Sequence, residues 1–394
     1  MVNECIGEMK KNINSEIDHK LCTGCGACSE KCPKKCISME YDTSVGFRYP
    51  SVDNECCIEC GVCSKTCPVF RKDLLLDNLQ TLAAVSTDEK ILKSANSGGI
   101  FSTIANLFIE KGGYVCGAVF TKELEVKHVI VNDKKGLAAL KGSKYIQSES
   151  NECFPQIKKI LVAGGKVLFA GTGCQVAGLK AYLGKDYDAL LSIEVVCHGV
   201  PSPLLFKEYL KWLGQKHGGV VTSYRFRSKK IRPTGEHSQF FYVIDNKEYT
   251  GQSLEDPFYG SFLKGKILRP SCYHCHFKGK SRVADITLGD FWGIEKFYRD
   301  FPIKNGTNVV MINSTKGLKL FGEVKKNVHS QSSTYGIACA LNPSIKTSTP
   351  IPQETIDYKS PHLFDVELKP KLSFKDKVKN RIPWKLKWFI KKYL

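Results

Sequence analysis

The chain has 394 residues, 42% hydrophobic and 10% aromatic, with a formal net charge of +19. That length suits two or three domains with cores of their own, and that composition excludes a largely disordered or fibrous chain. The charge does not imply a nucleic-acid partner: residues 1–71 balance 9 basic against 10 acidic side chains, whereas residues 369–394 hold 10 basic and only Asp376 acidic.

A basic face on a folded body, interleaved with aromatics, would be needed for nucleic acid, so none is expected. The opening residues, MVNECIGEMKKNINSEIDHK, contain no apolar segment of a secretory signal. No stretch approaches the roughly 18 uninterrupted apolar residues of a spanning helix. Eighteen cysteines are therefore expected as thiols in a reducing cytoplasm rather than as disulfides.

In chain order, the first elements are two copies of C-x2-C-x2-C-x3-C-P. CTGCGACSEKCP places Cys22, Cys25, Cys28 and Cys32, and CIECGVCSKTCP places Cys57, Cys60, Cys63 and Cys67. Three thiolates at this spacing wrap one corner of an iron–sulfur cube, while the fourth, ahead of Pro33 or Pro68, reaches the other cluster. One 4Fe–4S cluster is thus expected on Cys22, Cys25, Cys28 and Cys67, and a second on Cys57, Cys60, Cys63 and Cys32. Zinc sites built from C-x2-C pairs would leave the third and fourth cysteines of each run without a role. Gly24, Gly26 and Gly61 are expected to let backbone amides approach the sulfides. Between the runs, ISMEYDTSVGFRYPSVD reads as a hairpin, so residues 1–72 form a bacterial two-cluster ferredoxin module. Cys5, Cys36 and Cys56 lie off the pattern and are expected as small buried residues or bystanders.

After a polar stretch, TLAAVST predicts a strand. Ile100, Ile104, Leu107 and Phe108 have helical spacing, and Ser97, Gly98 and Gly99 open that helix. Free amides and the helix dipole make such a turn a place for an anion or a cofactor edge, or simply a cap. Tyr114–Phe120 predicts another strand. GKVLFAGTGCQVAGLKAYLG reads as strand, glycine turn and helix, and DALLSIEVVCHGVPSPLLFKEYLKWLG repeats the scheme. Val167–Ala170 and Ala189–Val196 are apolar enough for buried parallel strands. Cys174 and Cys197 each follow a strand's carboxyl end, where open α/β sheets bind ligands, although both also suit a core. From Val220 to about Val310 the chain is strand-rich (SYRFRSKK, QFFYVID, ADITLGDFWG, NVVMINS), which predicts an α+β region against the same cleft. Within it, Cys272 and Cys275 form a bare C-x2-C pair that His274 or His276 could complete as half of a zinc knuckle.

The ferredoxin module, SGGIFS, GSKYIQS, GTGCQVAGL, CHGVPSP, and CYHC with ADITLGDFWG together resemble the coenzyme F420 hydrogenase/dehydrogenase beta-subunit family over about residues 15–330, in that family's motif order. Members resembling this chain also occur in bacterial polysaccharide biosynthesis. The resemblance implies a flavin, typically FAD, beside an additional 4Fe–4S cluster. Carried over by motif, the flavin pocket would use Ser97, Gly98 and Gly99, then Lys144, Tyr145, Gln147 and Ser148. It would also use Thr172, Gly173, Cys174 and Gln175. Lys144 could meet phosphate, and the amide and hydroxyl groups the ring edge. The family often has Pro where this chain has Gly173. The additional cluster would take Cys197, Cys272 and Cys275, its fourth ligand being Cys174, His198, or an aspartate such as Asp285 or Asp290.

The expected architecture is therefore mixed α+β and α/β. A ferredoxin module (1–72) precedes a flavin-binding body in two parts (81–200 and 201–330), then an extended segment with a basic helical tail (331–394). The expected activity couples one-electron transfer through clusters to hydride chemistry at flavin. The substrate would be F420 or a pathway metabolite such as a polysaccharide precursor, and the redox partner a ferredoxin or an oxidoreductase subunit. The alternative is an electron-transfer subunit without a substrate of its own. In the tail, Phe374, Val378 and Ile382 fall at i, i+4 and i+8, and Trp384 and Trp388 sit toward the lysines. That pattern predicts an amphipathic helix on an anionic membrane, the alternatives being a solvated tail or a helix docking on a partner.

Overall fold

A computed structural model describes residues 11–227, 239–354 and 356–371. Near the amino end, β1 (Ile37–Asp42) and β2 (Phe47–Val52) pair antiparallel, from Ile37↔Val52 to Asp42↔Phe47. The short helices Ala27–Lys31 and Val62–Thr66 each start at a glycine in the left-handed region, Gly26 at φ 71° and Gly61 at φ 65°. Each helix stops at an extended cysteine, Cys32 or Cys67. The following proline disfavours the helical conformation there, so C-P ends each run and turns its last thiol away from its own loop.

Strands β3 (Gln80–Ser86), β4 (Tyr114–Phe120), β5 (Val126–Val131), β6 (Val167–Thr172) and β7 (Leu190–Val195) belong to one large sheet. Strands β8 (Val221–Arg225), β9 (Gln239–Ile244) and β10 (Lys247–Gln252) form a separate antiparallel sheet. The chain then returns to the large sheet with β11 (Ile286–Asp290), β12 (Asn308–Ile312) and β13 (Val328–Ser333), giving the order β13-β3-β12-β11-β7-β6-β4-β5. The β4–β6, β6–β7 and β7–β11 pairs are parallel.

Successive side chains of β6 explain the layers, because they alternate across the sheet. Leu168 joins a core with Ile100, Ile104, Phe108, Leu320 and Phe321, from the helices Ile100–Glu110 and Thr315–Val324. Val167 and Phe169 join the opposite core with Phe154, Ile157, Val176 and Leu179, from the helices Cys153–Val162 and Gly173–Leu183. Gly173–Leu183 is buried almost all round, as a helix covered on both sides must be. One side meets the sheet, and the other meets the ferredoxin-like module through Cys25 and Ala27.

The large sheet takes strands from both sides of residue 200, which corrects the expected α+β region: only β8–β10 stand apart. ITLGD supplies a central strand with Ile286 opposite Ile193. Ile286, Thr287 and Leu288 are all buried, the pattern of a strand covered on both faces. Among the described residues no helix is long and apolar enough to cross a membrane. The expected amphipathic helix, like Cys5, lies outside the described residues.

Candidate functional site

In the module, the Cys28 thiol is pushed well up by burial and by Cys25, Cys22 and Cys67 around it. Cys67 is pushed up to about 12 by burial, with Cys25, Cys22 and Cys63 as neighbours. The last thiol of the second run therefore stands among the first three of the first run. Cys32, Cys57, Cys60 and Cys63 border a small cavity together with Cys36. The Cys36 Sγ lies 3.4 Å from that of Cys32, which places this off-pattern cysteine at the cavity, whereas the Cys56 thiol faces the Lys34 carbonyl at 3.6 Å. Buried thiols that raise one another cannot ionise together without positive charge between them. Iron supplies that charge, so the donor set fits clusters.

Two of the module's glycines do something other than admit sulfides. A Cβ on Gly24 would stand 2.8 Å from the Arg269 guanidinium, and one on Gly26 would stand 2.6 Å from Asn151 Cβ. Both therefore make room for side chains of the body.

At the carboxyl edge of β6, β7 and β11 lies a cavity of about 600 Å³. Of the residues assigned to flavin, Ser97, Gly99, Lys144, Tyr145, Gln147, Ser148, Thr172, Cys174 and Gln175 line it. Gly98 and Gly173 are not in its wall. A Cβ on Gly98 would lie 2.7 Å from the Ala84 carbonyl oxygen and 2.9 Å from the Asn308 amide, between β3 and β12. Gly98→Ala should accordingly cost about 1–3 kcal/mol of stability by overpacking against backbone; a thermal midpoint equal to wild type would refute this. A Cβ on Gly173 would lie 2.9 Å from Phe277 Cβ.

Several lining side chains are committed to the protein. Lys144, in the cavity wall, donates to the carbonyls of Ala139, Leu140 and Lys141 at 2.9–3.1 Å and so closes the end of the helix Lys134–Leu140. Burial drives its ammonium down to about 8. Gln175 closes a capping box with Thr172 and donates to Ser148 Oγ at 2.9 Å. His128, driven down to about 4 by burial, meets the Ala170 carbonyl at 3.0 Å and Ser148 Oγ at 3.1 Å. Tyr145 stacks on Phe262 at 4.9 Å, and half-exposed Trp292 borders the same space.

Cys174, Cys197 and Cys272 also line the cavity. Burial pushes the Cys174 thiol well up, and Cys275, Cys197 and Cys272 push it further. Cys272 is pushed up to about 12 by burial, then by Cys197 and Cys275. Lys278, which donates to the Cys197 carbonyl, acts the other way on Cys197 and Cys275. Three thiols thus line one part of the cavity, with the Cys275 thiol and the Lys278 cation close to them. His274 and His276 are exposed, whereas Cys272 and Cys275 are partly buried. Asp285 accepts from Ser192 and Ser314, Asp290 pairs with Arg227 at 2.9 Å, and His198 contacts the Phe262 carbonyl at 3.1 Å. Cys174 is therefore the remaining candidate to join Cys197, Cys272 and Cys275. Among the described residues, no three such side chains already close on one point as around a single ion.

Residues 81–154 match the family described as coenzyme F420 hydrogenase/dehydrogenase, beta subunit N-term, and residues 164–335 match its C terminus. Residues 21–70 match a 4Fe–4S dicluster domain. Comparison with curated proteins gives no match. One solved structure similar to the chain belongs to the F420-reducing [NiFe] hydrogenase complex of Methanosarcina barkeri. It is 18% identical, with a TM-score of 0.46, covering 66% of this chain and 84% of that one.

Proposed function

The chain belongs to the coenzyme F420 hydrogenase/dehydrogenase beta-subunit family and is an iron–sulfur protein of oxidoreductase type; from this we propose that it is a flavoprotein enzyme, with FAD in the large cavity and a third 4Fe–4S cluster at its corner. The observation that carries the reading is that Cys174, Cys197 and Cys272 border the same 600 Å³ space as the flavin-assigned residues, with Cys275 close to Cys174. A flavin bound there would exchange single electrons for hydride.

The chain's own part is binding and exclusion of water. Tyr145 and Phe262 supply an apolar wall, and Ser148, tied by Gln175 and His128, offers a fixed polar edge. His128 stays neutral, so it adds no charge beside that edge. Cys174, Cys197, Cys272 and Cys275 would hold the third cluster, and the module's eight pattern cysteines the other two.

The substrate would be an organic hydride donor or acceptor, F420 or a pathway metabolite such as a polysaccharide precursor. The redox partner would be a ferredoxin-like protein or an oxidoreductase subunit, in a reducing cytoplasm. A cavity of this size beside the thiols favours an enzyme over a carrier subunit, which would have no need of a substrate-sized space. Anaerobic preparation with iron, zinc, sulfide and flavin quantified tests the proposal. About twelve irons and one flavin per chain are expected. About eight irons, with no flavin retained after incubation with FAD, would overturn it.

A further inference from the structure

Arg269 lies at the contact between the module and the body and is 1% exposed. Its Nε donates to the Cys22 carbonyl at 2.8 Å, its Nη2 to the Arg48 carbonyl at 2.9 Å, and its Nη1 to Gln147 Oε1 at 3.0 Å. Nη2 also stands 3.9 Å from the Cys22 thiol. The guanidinium lies over the rings of Tyr49, at 4.2 Å, and Phe47, at 5.2 Å. Among the described residues no carboxylate pairs with it. A buried cation held only by neutral groups is costly unless an anion stands close by.

Gly24 gives independent support. It sits between Cys22 and Cys25 with φ 66°, and any side chain there would occupy the guanidinium's place. The cysteine loop is thus shaped to admit this cation. Arg269 also directly precedes the short helix Pro270–Tyr273 that carries Cys272, and its carbonyl accepts from the Cys272 amide at 2.8 Å, so one residue links the backbones that carry both thiol sets. A Cβ on Gly178 would meet the Cys25 Sγ at 3.0 Å. Gly178 lies one helical turn beyond Cys174, so a first-run thiol packs against the helix that carries a body thiol.

We propose that Arg269 tunes the cluster on Cys22, Cys25, Cys28 and Cys67, making it the module's donor and acceptor toward the body. The inference rests on the reading that those four thiols hold a 4Fe–4S cluster. Reduction adds one electron to that cluster, no bond forms or breaks, and the same electron leaves toward the redox cofactor proposed for the body. A fixed positive charge beside Cys22 favours the more negative, reduced state, so it raises the reduction potential. Arg269 is a positioning and tuning residue, since it acts through the ligand and touches no substrate.

The test is a redox titration of the full chain with dithionite, followed by electron paramagnetic resonance, with iron counted in the same samples. In Arg269→Gln, one cluster's reduction equilibrium should move about tenfold toward oxidised, which is 59 mV for one electron, with the other signals unmoved. Arg269→Lys should shift the same cluster in the same direction by less, because the charge remains while the fork is lost. Full iron with no shift in Arg269→Gln, or equal shifts in both variants, overturns the proposal. If Arg269→Gln fails to hold iron, Arg269→Lys decides: a downward shift at one cluster supports the proposal, and none overturns it. Wild-type protein lacking the module's iron would instead sink the underlying reading.

Discussion

Cys272→Ser protein, prepared anaerobically, is expected to retain about two-thirds of the wild-type iron, about eight atoms per chain instead of about twelve. Serine conserves volume but replaces a soft thiolate by an alcohol that ionises far less readily. Cys272 stands with Cys197 and Cys275, and burial pushes its thiol to about 12 in the absence of iron. Three buried thiols of this kind hold a cluster only as a set, so removing one should release all its iron. The module's thiols lie across the Arg269 contact and share none of these ligands. Cys174→Ser should give the same loss, and His198→Gln should keep the iron, if Cys174 is the fourth ligand. Wild-type iron in Cys272→Ser would eliminate the third cluster, and the Cys272–Cys275 pair would need another role.

How much of this was legible in the sequence depends on the range of the interaction. The two cysteine runs carry their geometry locally, since Gly26, Gly61 and the two C-P steps fix the loops within a dozen residues. The strands β3, β4, β6 and β7 announced themselves as buried apolar runs. The place of β11 did not, because nothing local in ITLGD says that it lies beside β7, nearly a hundred residues earlier. β5, β10 and β13 were unread, and the last two mix exposed polar positions with few apolar ones. In the site, Ser97 and the glycines around it were found as a motif, yet only the backbone of β3 and β12 reveals that Gly98 is a packing residue. Lys144 was assigned to the flavin pocket through its motif, but the three carbonyls that engage it are visible only in the fold. Arg269 carries no sequence signal. Its importance lies in four contacts to three residues, Cys22, Arg48 and Gln147, which only the fold assembles.

The largest stability effect should come from Arg282→Met. Arg282 is 2% exposed; it pairs with Glu194 at 3.3 Å and donates to the carbonyls of Phe277 and Ile345 at 3.0 and 2.7 Å. Glu194 is 1% exposed, accepts from Thr287 at 3.0 Å, and has a second carboxyl oxygen with no hydrogen-bond partner. Burial raises the Glu194 carboxyl above its ordinary range, and the Arg282 charge is the first influence holding it down. Methionine removes that counter-charge and leaves a buried carboxylate, a loss of about 3–5 kcal/mol. The carboxyl can escape part of the penalty by taking up a proton. Its folded pKa would then stand further above the unfolded one, so the folded state binds the extra proton and stability falls as pH rises between the two values. The deficit of Arg282→Met should therefore be smaller near about pH 5 than near about pH 8. Adding Glu194→Gln removes the stranded charge, so the double variant should recover much of the loss and most of its pH dependence. Apparent denaturant midpoints at both pH values, compared among the three variants, check this. A double variant no more stable than Arg282→Met at the higher pH would show that the guanidinium's packing and carbonyl contacts, rather than its pairing with Glu194, account for the loss.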